Sequence, residues 1–280
     1  MRQRQVHTDA HANSRVNGRR WLRRIPMFIV LATCLVAISY LMTTDVRQPI
    51  VVVDEISASG SDTEVVTVAQ QPEYYQSTVR AALQDSSINY LKPFVQKSSI
   101  ESMILAEHPE IARVSVGIAI IERRPVVRLL PRVAEYMFLD QSGQSFMVDQ
   151  TGVLFSDTSS SSIDVNVDVP VLNDQISEIT SDQIGTQVVP RSTLRFIEQL
   201  QFQLTTHGEQ IPVEQYILPL ETQELHLQFT DQDYIVKFDL AGDSRMQAGA
   251  LFALIEQLHE ANRLPDEYID VRISGRAYYR

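Results

Sequence analysis

The sequence predicts an α+β fold that begins with one transmembrane helix. Residues Ile25–Met42 form an apolar run that contains no Asp, Glu, Lys or Arg. Much further along the chain, residues 225–229 and 234–240 alternate apolar and polar side chains, which is typical of half-buried strands. Residues 246–261 instead repeat apolar side chains at helical spacing. These patterns predict one apolar helix followed by a body in which helices pack on an antiparallel-rich sheet.

The apolar run predicts a membrane span with a defined orientation. As a helix it would be about 27 Å long, close to the thickness of a hydrocarbon core of about 30 Å. Residues 1–24 carry seven arginines and one acid, Asp9, whereas the whole chain has 24 basic and 35 acidic residues and a net charge of −11. Positive charge beside a first apolar span stays cytoplasmic. We therefore expect a single-pass protein of the cell membrane, anchored in the lipid bilayer through Ile25–Met42, with a cytoplasmic tail at 1–24, a span at 25–44 and an extracytoplasmic body.

Two alternatives compete with this interpretation of the N-terminal part. A cleaved signal peptide usually has a shorter apolar region and small residues before the cleavage site, whereas this run continues to Met42. The arginine-rich tail is also compatible with nucleic-acid binding, but Trp21 is its sole aromatic residue. We therefore predict an anchor and no nucleic-acid partner.

The body divides into a small module and a larger domain. After a linker at 45–63, residues 64–130 predict a βααββ module with helices at 72–85 and from Ser98 onward, where Ser98 and Glu101 have the spacing of a capping box. Its later strands lie in 112–121 and at 126–130. Its first strand is predicted at 65–68, with Ile50–Val53 as the alternative.

Residues 131–280 predict the larger mixed α+β domain. Two Asp-Gln-x-Gly sequences, at 140–143 and 149–152, predict hairpin turns, since glycine tolerates positive φ. An amphipathic helix is expected at 191–205, and residues 269–273 alternate in what is expected to be the last strand. Leu251, Leu254 and Leu258 are predicted to bury one face of the 246–261 helix.

The sequence contains no persuasive catalytic motif. Cys34 is the only cysteine, so a disulfide or a cysteine-based metal site within the body is not expected. The six histidines lack the spacing of a zinc-protease helix, and neither a P-loop nor a Gly-x-Ser-x-Gly sequence is present. We therefore predict a protein that is not an enzyme, with no metal, no cofactor and no small-molecule substrate. A membrane-anchored hydrolase remains a lesser alternative.

Three groups of short motifs resemble one known family. The first comprises HPEIARVSV (108–116) and IIERRPVV (120–127). The second comprises FLDQSG (138–143), GVLF (152–155) and PVL (170–172). The third comprises YIDVR (268–272) and RAYY (276–279). In this order they resemble the FtsQ/DivIB family of bacterial cell-division proteins, which combine a POTRA module with a C-terminal β domain.

The resemblance implies a function that rests on binding. It implies a non-catalytic assembly protein of the divisome that binds other membrane-tethered division proteins at the septum, among them FtsB/DivIC-like and FtsL-like coiled-coil proteins. The alternative is a POTRA-bearing membrane protein of a secretion or envelope-transport system.

The resemblance also places the partner site on the closing strand. There, an unpaired edge of the 269–273 strand is expected to accept a partner strand. The candidate partner-binding residues are Arg272, Ile273, Ser274, Gly275, Tyr278 and Tyr279. Two plainer interpretations stay open: Tyr278 and Tyr279 complete the fold, and Asp270 and Arg272 pair on the polar face of the strand.

Overall fold

The computed structural model describes residues 25–55, 67–119, 121–158, 169–206, 212–221, 223–230 and 232–280. Within these residues the chain forms five α-helices and two sheets, which confirms the α+β class. The helices are α1 (Ile25–Met42), α2 (Pro72–Gln84), α3 (Lys97–Glu107), α4 (Arg191–Thr206) and α5 (Ser244–Glu260). The strands are β1 (Ile50–Val53), β2 (Ile111–Gly117), β3 (Val126–Pro131), β4 (Tyr136–Leu139), β5 (Ser145–Val148), β6 (Leu154–Asp157), β7 (Val171–Asp174), β8 (Val213–Leu218), β9 (Glu224–Phe229), β10 (Ile235–Asp239), β11 (Tyr268–Asp270) and β12 (Tyr278–Tyr279). The predicted tail at 1–24 and the first half of the strand predicted at 65–68 lie outside the described residues.

The smaller module has the predicted βααββ order. Its sheet runs β1-β3-β2, with β1 parallel and β2 antiparallel to the central β3. Helices α2 and α3 cover one face of this sheet. Apolar residues at helical spacing on α2, namely Tyr75, Val79 and Leu83, are fully buried there with Ile100 and Ile104 of α3. Pro72 occupies the first turn of α2, where its missing N–H costs little.

The opening strand of this module lies in the predicted linker. β1 is Ile50–Val53, whose Ile50 stands opposite Val126 of β3, so the sheet includes residues that we assigned to 45–63. The alternative, Ile50–Val53, is therefore the first strand, and the prediction of 65–68 is wrong: there Thr67 forms one isolated bridge to Val133, and Val68 packs against the second domain. Both segments are apolar and β-branched, so the difference arises from long-range pairing with β3 and not from local propensity.

The start of α3 also differs from the prediction. The helix begins at Lys97 after the N-cap Gln96, whose side chain makes no capping hydrogen bond. Ser98 lies inside the first turn, and its carbonyl accepts the Ser102 hydroxyl at 2.8 Å. The predicted capping box at Ser98 and Glu101 is therefore wrong.

The larger domain is built on a nine-stranded sheet among the described residues. Its order is β12-β11-β10-β9-β8-β7-β4-β5-β6, and antiparallel pairs outnumber the parallel pairs β10–β11, β7–β8 and β4–β7. Helices α4 and α5 contribute to the core of this domain through their apolar faces. Leu251, Leu254 and Leu258 of α5 are buried there, which confirms the predicted helix face.

Both predicted hairpin turns are present, and each is organised by its aspartate. Gly143 and Gly152 have φ of +83° and +82°. One carboxylate oxygen of Asp140 accepts the backbone N–H groups of Ser142 and Gln144 at 2.9 and 2.8 Å. Asp149 repeats this pattern nine residues later in the sequence. The turns therefore form because the aspartate replaces missing main-chain bonds and glycine permits the left-handed backbone.

One arginine joins the two parts of the chain. The Arg132 backbone N–H donates to the Glu110 carbonyl at 2.8 Å, and its side-chain Nε donates to the Pro109 carbonyl at 2.9 Å. Its guanidinium also forms an ion pair with Asp149 of the second hairpin turn. Arg132 therefore ties the start of β2 to the larger sheet.

The predicted transmembrane span is contradicted. Among the described residues, no helix is long and apolar enough to cross a membrane. The helix α1 does form at Ile25–Met42, but its 18 residues fall short of the roughly 20 that a transmembrane helix needs. This finding also contradicts the predicted single-pass location and the orientation inferred from it.

Candidate partner-binding site

The candidate site lies at one edge of the larger sheet, where β11 and β12 form a short antiparallel pair. Ile269 stands opposite Tyr279, and Asp270 opposite Tyr278. The Arg280 N–H donates to the Tyr268 carbonyl at 3.0 Å, and the Arg280 carbonyl accepts the N–H groups of Asp266 and Glu267 at 2.8 Å each. β12 is therefore the outermost strand of this sheet.

The exposed edge is not on the strand that we predicted. The strand at 269–273 is shorter than expected, since β11 ends at Asp270, and its outer edge is covered by β12. The chain reverses direction through Gly275, which has a φ of +71°, and the Arg276 N–H donates to the Ile273 carbonyl at 3.0 Å. Because glycine adopts this left-handed conformation without strain, the chain folds back and pairs with β11.

The orientation of the free edge follows from the pairing. Arg280 and Tyr268 exchange two N–H···O contacts, at 3.0 and 3.5 Å, so they occupy a hydrogen-bonded position of the antiparallel ladder. Tyr279, the preceding residue, then occupies a non-hydrogen-bonded position, and its N–H and carbonyl point away from β11. Within the described residues no strand pairs with this outer side of β12. The edge can therefore accept a further strand.

Three large side chains of β12 and of the turn before it are open to solvent. Ile273, Tyr278 and Tyr279 are 52%, 46% and 42% exposed. A tyrosine offers a broad apolar ring and a hydroxyl, the combination that is enriched where proteins bind each other. Ser274 and Gly275 are also exposed, in the turn between the two strands. The structure thus brings together five of the six predicted residues on one exposed turn and edge.

Arg272 behaves differently from the other predicted residues. Its Nε donates to one carboxylate oxygen of Asp270 at 2.9 Å, and one terminal nitrogen donates to the other oxygen at 2.6 Å. Its second terminal nitrogen forms an ion pair with Glu224 of β9. His226 contacts the other oxygen of Glu224 through Nε2 at 3.0 Å. The guanidinium therefore bonds within the protein, which agrees with the interpretation that Asp270 and Arg272 pair.

The electrostatics of this group favour its charged form. Hydrogen bonds from the Arg272 side chain lower the pKa of Asp270, although partial burial opposes this shift. The same contact raises the pKa of Arg272 above its ordinary value. Both groups are thus charged at neutral pH. Charge-assisted bonds in a bidentate arrangement are stronger than those between neutral groups.

Sequence reasoning missed Glu224 and His226 as members of this group. Glu224 is 48 residues from Arg272 in the chain and lies on a strand separated from β11 by β10. The alternation of residues 225–229 places Glu224 and His226 on the polar face of β9. This alternation is the one sequence pattern that points to these two residues. That pattern does not show which polar residue of another strand lies nearby.

A second feature of this domain is a cavity of about 200 Å³ near the carboxyl ends of β7 and β8. Its lining is largely apolar, and Asp174, Glu221 and Glu224 add carboxylates. Asp174 accepts the Ile176 N–H at 2.9 Å, while Glu224 bonds to Arg272 and His226. In the part of the chain that the structure describes, no group of three or more His, Cys, Asp or Glu side chains could hold a metal ion. The cavity is therefore a weaker candidate site than the β12 edge.

No protein-family model matches this chain, and no curated protein sequence matches it either. The likeness to the FtsQ/DivIB family therefore rests on the motifs quoted above.

Proposed function

We propose that this protein is a non-catalytic assembly protein of the bacterial cell-division machinery, which binds its partner by accepting a strand at β12. The observation that carries the proposal is the outer edge of β12. No strand of the described residues pairs with the outward main-chain groups of Tyr279, and the side chains of Ile273, Tyr278 and Tyr279 are exposed. An edge of this kind gives affinity through main-chain bonds and specificity through the neighbouring side chains.

Motif order and domain order support the proposal. The quoted motifs lie in the βααββ module, in the first strands of the larger sheet and at β11–β12, in the order in which the FtsQ/DivIB family has them. On this resemblance the partner is an FtsB/DivIC-like coiled-coil protein, itself paired with an FtsL-like protein. The division partner supplies the incoming strand, and this chain supplies the edge.

The direct test is affinity for the FtsB/DivIC-like protein of the same organism, measured with the full chain. Tyr279→Pro removes the outward N–H and should lower affinity at least about tenfold, because a main-chain bond is lost at the centre of the interface. Tyr278→Ala should cost about as much through lost aromatic contact. Phe202→Ala, at an exposed aromatic of α4, is the matched control and should leave affinity unchanged.

A folded wild-type chain that fails to bind this protein would contradict the proposal. So would normal affinity in both tyrosine variants, because the site would then lie elsewhere on the molecule. Circular dichroism and the unfolding midpoint establish that each variant is folded.

A further inference from the structure

We propose that Arg272 is a positioning residue: together with Asp270 and Glu224 it forms an internal clamp that holds the β11–β12 turn and so presents the β12 edge. Its connection with binding rests on the proposed function, whereas the clamp itself stands on geometry. The clamp consists of the two side-chain bonds from Arg272 to Asp270, the ion pair between Arg272 and Glu224, and the His226 contact to Glu224.

The clamp links strands that are not neighbours. Glu224 lies at the start of β9 and Asp270 at the end of β11, with β10 between them. Neighbouring strands are about 4.8 Å apart, so β9 and β11 are separated by roughly 10 Å. The side chain of Arg272, which follows β11, and that of Glu224 together span this distance. Arg272 therefore anchors the start of the turn to the interior of the sheet.

Apart from the clamp, the turn is held mainly at its two ends, where Ala277 packs against the core and Arg280 bonds to the main chain of residues 266–268. Before it, the Val271 N–H donates to the Lys237 carbonyl at 3.1 Å, and the Val271 side chain is buried. Inside it, the Arg276 N–H donates to the Ile273 carbonyl at 3.0 Å. β12 itself contains only Tyr278 and Tyr279. Because so short a strand pair is weak alone, the side-chain clamp contributes to the order of this edge.

The same geometry argues against Arg272 as a direct contact for the partner. Its side chain and that of Glu224 are both partly buried, and its donors are directed to two carboxylates. An acidic group of a partner would have to displace one of them and would leave a partly buried carboxylate without its cation. Direct contact is therefore assigned to Ile273, Tyr278 and Tyr279, and Arg272 acts through the turn.

Amide hydrogen exchange of the full chain tests the clamp without any partner. Arg272→Ala should increase exchange within residues 268–280 at least about tenfold, because the local opening of this edge becomes easier. Exchange in α5 should stay unchanged. Arg272→Lys keeps the charge but not the planar fork, so it should give an intermediate increase. Arg195→Ala, at an exposed arginine of α4, is the control and should change neither region.

The pKa of Asp270, measured by NMR of its carboxyl carbon, provides a second test. It should change on substitution of Arg272 if the two side chains pair, and it should not change if Arg272 only packs against the turn. In the wild type the Asp270 carboxyl should titrate below its ordinary pKa, and in Arg272→Ala it should titrate at a higher pH. Glu224→Gln keeps the size of the side chain and should increase exchange at 268–280 while Asp270 stays paired. Should Arg272→Ala fail to fold, the Lys and Gln variants carry the test.

Affinity for the FtsB/DivIC-like protein then separates the two proposals. The clamp predicts that affinity falls in proportion to the increase in exchange across the three variants. Unchanged amide exchange in a folded Arg272→Ala chain would overturn the clamp. If that variant also lost affinity for the partner, Arg272 would be a direct contact. A wild-type chain that binds no such partner overturns the proposed function, and the exchange result alone then decides the clamp.

Discussion

At the scale of single residues, two glycines with the same backbone conformation face different surroundings. Gly143 and Gly152 both have positive φ, at equivalent positions of the two hairpin turns. A Cβ at Gly143 would meet no atom within 4 Å, whereas one at Gly152 would lie 2.0 Å from the Val189 carbonyl oxygen. Gly143 is required for its backbone conformation alone. Gly152 is required for its backbone conformation and also because a Cβ would collide with Val189.

We therefore expect unequal costs for the same substitution. Gly143→Ala should lower the free energy of unfolding by about 1 kcal/mol, the usual cost of a left-handed residue with a side chain. Gly152→Ala should cost more than about 3 kcal/mol, because the loop at Val189 must also move. Urea unfolding of the two variants measures the difference. Equal losses would mean that the contact with Val189 is not maintained in solution.

The pairing of Arg272 with Asp270 also has a pH dependence at this scale. The folded pKa of Asp270 is lowered, so its contribution to stability is present above the pKa of the unfolded aspartate, near 3.9. That contribution is lost as the pH falls through the lower, folded pKa. Asp270→Asn should abolish this part of the acid dependence in unfolding measurements between about pH 2 and pH 5. An unaltered acid profile would contradict the assignment.

At the scale of elements, α5 shows how an amphipathic helix is held on the sheet. Its leucines at 251, 254 and 258 are buried, whereas Met246 on the same helix is exposed. Leu254→Ala should lower the free energy of unfolding by about 2–5 kcal/mol, through lost burial and the cavity that remains. Met246→Ala is the matched control and should stay within about 0.5 kcal/mol. A loss below about 1 kcal/mol at Leu254 would mean that this face is not packed in solution.

At the scale of the whole molecule, the two domains meet at Arg132. Its side chain binds the Pro109 carbonyl of the small module and Asp149 of the larger domain. Val68 packs against Ala134, Met147 and Phe155, which adds an apolar contact to this junction. The partly buried ion pair and the neighbouring apolar contact favour a fixed arrangement of the two domains.

Removing the Arg132 side chain should therefore loosen the junction. In Arg132→Ala, amide exchange should rise at residues 110–111 and 149–152, while the cores around Leu83 and Leu251 keep their protection. Arg128→Ala, at an exposed arginine of β3, serves as the control. Equal exchange in both variants would show that the apolar contact alone holds the domains together.

We also expect the whole chain to fold without a bound metal ion or a disulfide. Excess EDTA or a reductant should leave the thermal unfolding midpoint unchanged. The expectation rests on the single cysteine and on the absence of a metal-ligand cluster among the described residues. A midpoint that falls on chelation would contradict it.

The sequence by itself determined those elements that depend on local periodicity and local backbone conformation. The apolar repeat of α2 and α5 and the two Asp-Gln-x-Gly turns are specified by residues within a few positions of one another, so they could be predicted. The tertiary structure decided which apolar segment opens the small sheet, since Ile50–Val53 becomes a strand only by pairing with β3. It also decided that β12 covers β11 and that Arg272 reaches Glu224. These features depend on pairing between residues distant in the chain, and one sequence carries no local signal for such contacts.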